Sequence, residues 1–159
     1  MKIGSRFYII VAVAAFALGG CTTSNSLYQV EVCLTGEAQK DEFLGFMRSV
    51  ADDSSLDFID GSDTYDRRSV ALGLPSTAGH TIYFGAESRG DSSGFTGGNL
   101  GLNRYQIGLA MTPTRDGVFN ARVIERTVNR IIDNWTARRV PADDTFKPRA
   151  GCGDGPSPL

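Results

Sequence analysis

Between Val118 and Arg138 the apolar residues fall at Phe119, Val123, Ile124, Val128, Ile131, Ile132 and Trp135. That spacing predicts a helix of five or more turns with one apolar side. In water such a helix is held mainly by what its apolar side packs against, so the rest of the chain must supply a surface for it. Several segments read as strands. "LYQVEVCL" (27–34) alternates, with Tyr28, Val30, Val32 and Leu34 on one face and Gln29, Glu31 and Cys33 on the other. "SLDFID" (55–60), "HTIYFGAES" (80–88) and "NRYQIGLAMTP" (103–113) are further candidates. A second helix is expected from about Gly36 to Ala51, with Phe43, Leu44, Phe46, Met47, Val50 and Ala51 on its inner side and Thr35 as its cap.

A short helix is expected after Ser62 or Asp63. Residues 89–101, "RGDSSGFTGGNLG", read as a Gly/Ser-rich loop at the tip of a wide hairpin, with Phe95 available for contacts. The order gives an α+β fold: a two-layer sandwich of a mostly antiparallel sheet with two main helices on one face. A ferredoxin-like variant fits if residues 144–149 supply a final strand.

Upstream of this domain, Lys2 and Arg6 precede the uncharged run "FYIIVAVAAFAL" (7–18). A basic start, a short apolar core and small residues after it have the form of an export signal, removed before folding. The run is too short to cross a bilayer comfortably, which takes about 20 residues. Leu18-Gly19-Gly20-Cys21 resembles the lipobox of bacterial lipoproteins. The resemblance covers residues 1–21 alone and implies cleavage before Cys21, with acyl chains on its thiol and on the new amino terminus. Two or more chains anchor where one does not. Thr22 and Thr23, in place of an Asp after the cysteine, imply the outer membrane, periplasmic face. Two alternatives remain: Ala15-Phe16-Ala17 as an ordinary cleavage site releasing a soluble protein, and an uncleaved anchor. The division expected is therefore signal (1–20), lipidated cysteine and tether (21–27), one domain (28–152) and tail (153–159). The six residues 22–27 reach about 20 Å at most, which keeps the domain beside its membrane.

Cys33 and Cys152 remain. In an exported chain disulfides persist, so the two are expected to form a bridge; the alternative is a buried free Cys33 and a reactive thiol at Cys152. Charge is polarised. Residues 22–66 hold ten acids against Lys40 and Arg48, a net of −8, while residues 67–149 hold twelve bases against seven acids, a net of +5. Either the halves neutralise each other in the fold or one meets a charged partner.

Catalytic patterns are scarce. His80 is the single histidine, so a zinc site of the usual kind lacks ligands, and no G-x-S-x-G nucleophile motif stands near it. Six aspartates in 52–66 lack the closing Glu of an EF-hand loop; they read first as a solvated acidic edge and second as a docking patch. Gly94, Gly97, Gly98 and Gly101 run into a strand, not into a helix N-terminus, so they do not form a phosphate loop. Arg122, Arg126 and Arg130 line one side of the last helix, near Glu125 and Asp133 at pairing distance.

No metal, cofactor or nucleic-acid partner is expected. The leading expectation is a non-enzymatic binding or accessory protein of a cell-envelope assembly, using Arg122, Arg126, Arg130 and Phe95 toward an unknown envelope partner. Alternatives are an immunity or inhibitor protein against a periplasm-acting enzyme, an envelope hydrolase using His80, and a lipid carrier with an apolar cavity between sheet and helices.

Overall fold

The computed structural model describes residues 27–73, 81–101, 103–147 and 152. Residues 1–26, where an export signal, the lipidated Cys21 and a tether are expected, lie outside them, as do His80 and the tail beyond Cys152. The described elements are β1 (Tyr28–Cys33), α1 (Glu37–Asp53), β2 (Asp57–Asp60), α2 (Ser62–Ala71), β3 (Tyr83–Ser88), β4 (Asp91–Asn99), β5 (Gln106–Thr112), α3 (Ala121–Asn134) and β6 (Thr136–Val140).

The six strands form one sheet in the order β2-β3-β4-β5-β1-β6, every neighbouring pair antiparallel. The sheet packs one face against α1 and α3, as the α+β reading expects. Strands β6-β1-β5-β4 with those two helices reproduce the order of a ferredoxin-like unit. The segment β2-α2-β3 is inserted between α1 and β4 and widens the sheet at one edge. Val30, Val32, Phe84, Ile107, Leu109 and Met111 on the sheet are 0% exposed, as are Phe43 and Met47 of α1 and Ile124 and Ile131 of α3. Phe43 sets its ring edge-on to Phe84 (6.1 Å) and to Trp135 (5.3 Å), joining sheet and both helices.

Three expectations change here. Residues 91–99 are strand β4, not a loop. Glycine composition hides it, yet Gly97 is required: a Cβ there would run into the Phe84 ring. Phe95 is accordingly 5% exposed and packs among Phe58, Phe84 and Phe119, so it is a core residue and no contact loop.

The last helix is shorter than its periodicity suggests. Asn120 caps it, its Oδ1 accepting from the N–H groups of Arg122 (3.0 Å) and Val123 (3.2 Å), with Phe119 and Ile124 in the staple positions around the cap. It ends at Asn134 because Trp135 turns extended (φ −131°, ψ 159°) to reach Phe43 and Phe46. The last strand among the described residues is then 136–140; of the expected 144–149, residues 144–147 are not strand and 148–149 lie outside the described residues. Thr136, Ala137 and Arg138, read as helix, are strand residues.

Candidate binding face

On the face turned away from α1 and α3, the side chains are small. Across the centre of the sheet the paired rows read Tyr83–Gly98–Gly108–Glu31–Arg138 and Ile59–Gly85–Thr96–Ala110–Gln29. These come from the alternation that puts Phe84, Leu109 and Val30 inward. Glycine, alanine and threonine on the other side leave a trough over β4 and β5.

One wall of the trough is a strap formed by the chain after β6. Phe146 lies over Gly108, where a Cβ would stand 3.0 Å from its ring and 2.7 Å from Leu100; glycine is what lets the strap close down. Gln106 Nε2 donates to the Lys147 carbonyl (2.9 Å), and the Lys147 N–H donates to Glu31 Oε1 (3.0 Å). Glu31, 3% exposed, receives Arg138 Nε at 2.7 Å from the facing strand. A buried carboxylate is tolerated only with such partners. Asn103 Nδ2 donates to the Cys152 carbonyl (2.8 Å), and Cys152 forms a disulfide with Cys33 (Cα–Cα 5.3 Å). The expected bridge is therefore present, on the face where the alternation of β1 put Cys33.

The opposite wall is aromatic. Tyr65 of α2 stacks on Tyr83 of β3, ring centroids 5.6 Å apart, and both are about half exposed. Between this pair and Phe146 lies a groove of about 360 Å³, floored by Thr96, Gly98, Gly108 and Ala110. A shallower hollow continues it past Ile59 toward Leu27, sharing Thr96 and Ala110. No charged side chain lines the groove among the described residues.

Most of its polar side chains are already engaged. Asn99 donates to the carbonyls of Asn103 and Arg104 (2.9 Å each) and accepts from the Ile82 N–H; Thr81 donates to Asp66, and Thr96 to the Phe84 carbonyl at 3.4 Å. The Tyr65 and Tyr83 hydroxyls are bonded to nothing among the described residues. Such a surface offers rings, a flat floor and two phenols, which suits a neutral and largely apolar guest.

The arginine row is on the other side of the molecule. Arg122, Arg126 and Arg130 are exposed on α3, but they do not act alike. Arg130 lies over the Phe46 ring at 4.7 Å, and Glu125 bonds Arg139 of β6 (2.7 Å), not Arg122. That pair, with Asn129 also accepting from Arg139, fastens β6 to α3. The Arg139 guanidinium holds the Glu125 carboxyl below its ordinary value. Arg122 and Arg126 make no ion pair among the described residues.

The aspartates of 52–66 are spread over the end of α1, β2 and α2, and no group of three or more metal-ligating side chains gathers among the described residues. Glu31–Arg138 and Asp57–Arg89 join the acidic and basic halves of the chain. The groove is not where a carrier would need it, because the space between sheet and helices is filled by the core.

Sequence reasoning missed the trough because it needs the register of four strands at once. The visible signal was the run of small residues at alternate positions, Gly94, Thr96 and Gly98 against Gly108, Ala110 and Thr112. Compared with protein-family models, with curated proteins and with solved structures, the chain gives no match.

Proposed function

We propose that this chain is an exported, lipid-anchored binding protein of a bacterial cell envelope, without catalytic activity of its own, that presents the open face of its sheet to a ligand or partner. The observation that carries the reading is the groove between the Tyr65–Tyr83 stack and Phe146: it is exposed, uncharged among the described residues, and lined, apart from the two tyrosine hydroxyls, by polar side chains already bonded within the fold. Such lining suits holding a guest: among the described residues its unbonded polar side-chain groups are the two tyrosine hydroxyls, with no carboxylate, thiol or amine in the lining. The lipobox-like Leu18-Gly19-Gly20-Cys21 supplies the anchor, with the periplasmic face of the outer membrane as destination. The disulfide fits an oxidising compartment.

Relative to the sequence-based expectation, the contact surface moves from Phe95 and the arginine row to the opposite face. Photo-cross-linking in the native envelope tests this. A benzophenone side chain in place of Tyr83 is expected to capture a discrete species, one in place of Arg122 is not, and capture at Arg122 alone would reverse the assignment. For the anchor, Cys21→Ala is expected to abolish palmitate incorporation and leave the precursor uncut. A processed, unlabelled and soluble product would establish an ordinary signal peptide.

A further inference from the structure

The two edges of the sheet differ in kind. At β6 the charged residues are occupied: Arg138 holds Glu31, and Arg139 holds Glu125 and Asn129. At β2 they are in conflict. Asp57 stands directly opposite Glu87 on β3, and like charges in facing positions are destabilising. Arg89 Nε reaches Asp57 at 3.2 Å, but the side chains are 89% and 57% exposed, so the bond is weak. Glu87 has no partner among the described residues.

Beside this pair, Ile59 is 56% exposed and faces Gly85, which offers no side chain to pack on. The chain leaves β2 toward β3: the Gly61 N–H donates to the Tyr83 carbonyl (2.8 Å), and Asp60 Oδ1 accepts from the Ser62 N–H (3.1 Å) and hydroxyl (2.7 Å). Helix α2 thus starts over β3, and the outer edge of β2 stays unpaired among the described residues.

We propose that this edge takes an extended segment of a partner protein as a seventh strand, with a basic residue opposite Asp57 and an apolar residue opposite Ile59. Strand addition gives affinity through the main chain and specificity through alternate side chains. The two positions share a face, so the partner's basic and apolar residues stand two apart. The cation relieves the Asp57–Glu87 repulsion, and the apolar side chain covers Ile59 where Gly85 leaves it bare. A second copy of this chain is disfavoured, since antiparallel β2 against β2 would set Asp57 against Asp60 twice. The edge borders the hollow that continues the groove past Ile59, but the added strand pairs with the main chain of β2 and does not need the Tyr65, Tyr83 and Phe146 walls.

The test uses the peptide acetyl-Thr-Lys-Thr-Val-Thr-Lys-Thr-amide and its counterpart with Glu for Lys, added to the folded domain with its disulfide intact. The lysine peptide is expected to slow hydrogen exchange at residues 57–60, more so at low salt, and the glutamate peptide is not. The double variant Asp57→Asn/Glu87→Gln, both at exposed positions, is expected to weaken the lysine peptide roughly two- to thirtyfold. Phe146→Ala, which removes a wall of the groove and lies outside the hollow at Ile59, is expected to leave its binding unchanged, which separates this edge from the groove reading. Absence of slowing at 57–60, equal binding of both peptides, or slowing at 136–140 instead would overturn the proposal.

Discussion

Breaking the Cys33–Cys152 bridge, by reduction or by Cys33→Ser/Cys152→Ser, has a magnitude that follows from where the bridge lies. It joins residues 119 apart, nearly the whole domain. The chain-entropy estimate for a loop of that length is about 4.9 kcal/mol at 25 °C. That is a large share of the roughly 5–15 kcal/mol by which small domains are stable. Native strap contacts do not replace it, because loop closure acts on the unfolded chain; Lys147 on Glu31 and Gln106 act on the folded one.

Urea unfolding of oxidised and reduced protein is the assay. The expected loss is about 3–5 kcal/mol, which at a slope of about 2 kcal/mol per molar moves the midpoint down by roughly 2 M. Mass mapping under non-reducing conditions shows which bond the oxidised sample holds. A loss under about 1 kcal/mol with Cys33–Cys152 intact in that sample would refute the reasoning.

Other outcomes follow from single residues. Phe95→Ala is expected to cost about 3–5 kcal/mol by thermal or urea unfolding, whereas Tyr83→Ala on the open face costs under about 1 kcal/mol; equal costs would return Phe95 to a surface loop. Asn120→Ala removes the α3 cap and is expected to cost about 1 kcal/mol, measured the same way. The carboxyls of Asp116, Glu125 and Asp144 sit below their ordinary values. Asp116 is lowered first by the Thr114 hydroxyl and then by the Val118 N–H, Glu125 by Arg139, and Asp144 by the Thr145 N–H and then Lys147. Folding lowers these values, so their stabilisation is complete above the unfolded-chain range, about pH 5, and is lost as pH falls through the depressed ones. A melting temperature that rises on acidification below pH 4 would contradict this.

Much of the architecture is local enough to read from the chain. The alternation of 28–34 fixes both faces of β1 and puts Cys33 where the strap arrives. The helical spacing of Phe43, Met47 and Val50 predicts the buried side of α1, on the expected residues. Elsewhere local pattern and tertiary demand part company. In β4, glycines that look like a loop are the space left for the Phe84 ring and the trough. At Trp135 the helical period continues, but the ring serves as the pivot between α3 and β6. Ala137 and Arg138 then pass for helix while pairing with β1. The groove was the least legible feature, because its walls, Tyr65, Tyr83 and Phe146, are brought together only by the inserted β2-α2-β3 segment and the disulfide-held strap.

Hydroxyl-radical footprinting in intact envelopes, compared with the purified protein, tests the central claim directly. Tyr65 and Tyr83 on the open face and Val118 and Ile132 on the helix side are all exposed in the isolated domain. Occupation of the groove predicts that Tyr65 and Tyr83 become protected in the envelope while Val118 and Ile132 label as before. Protection of Val118 and Ile132 with unchanged labelling of the two tyrosines would contradict the account.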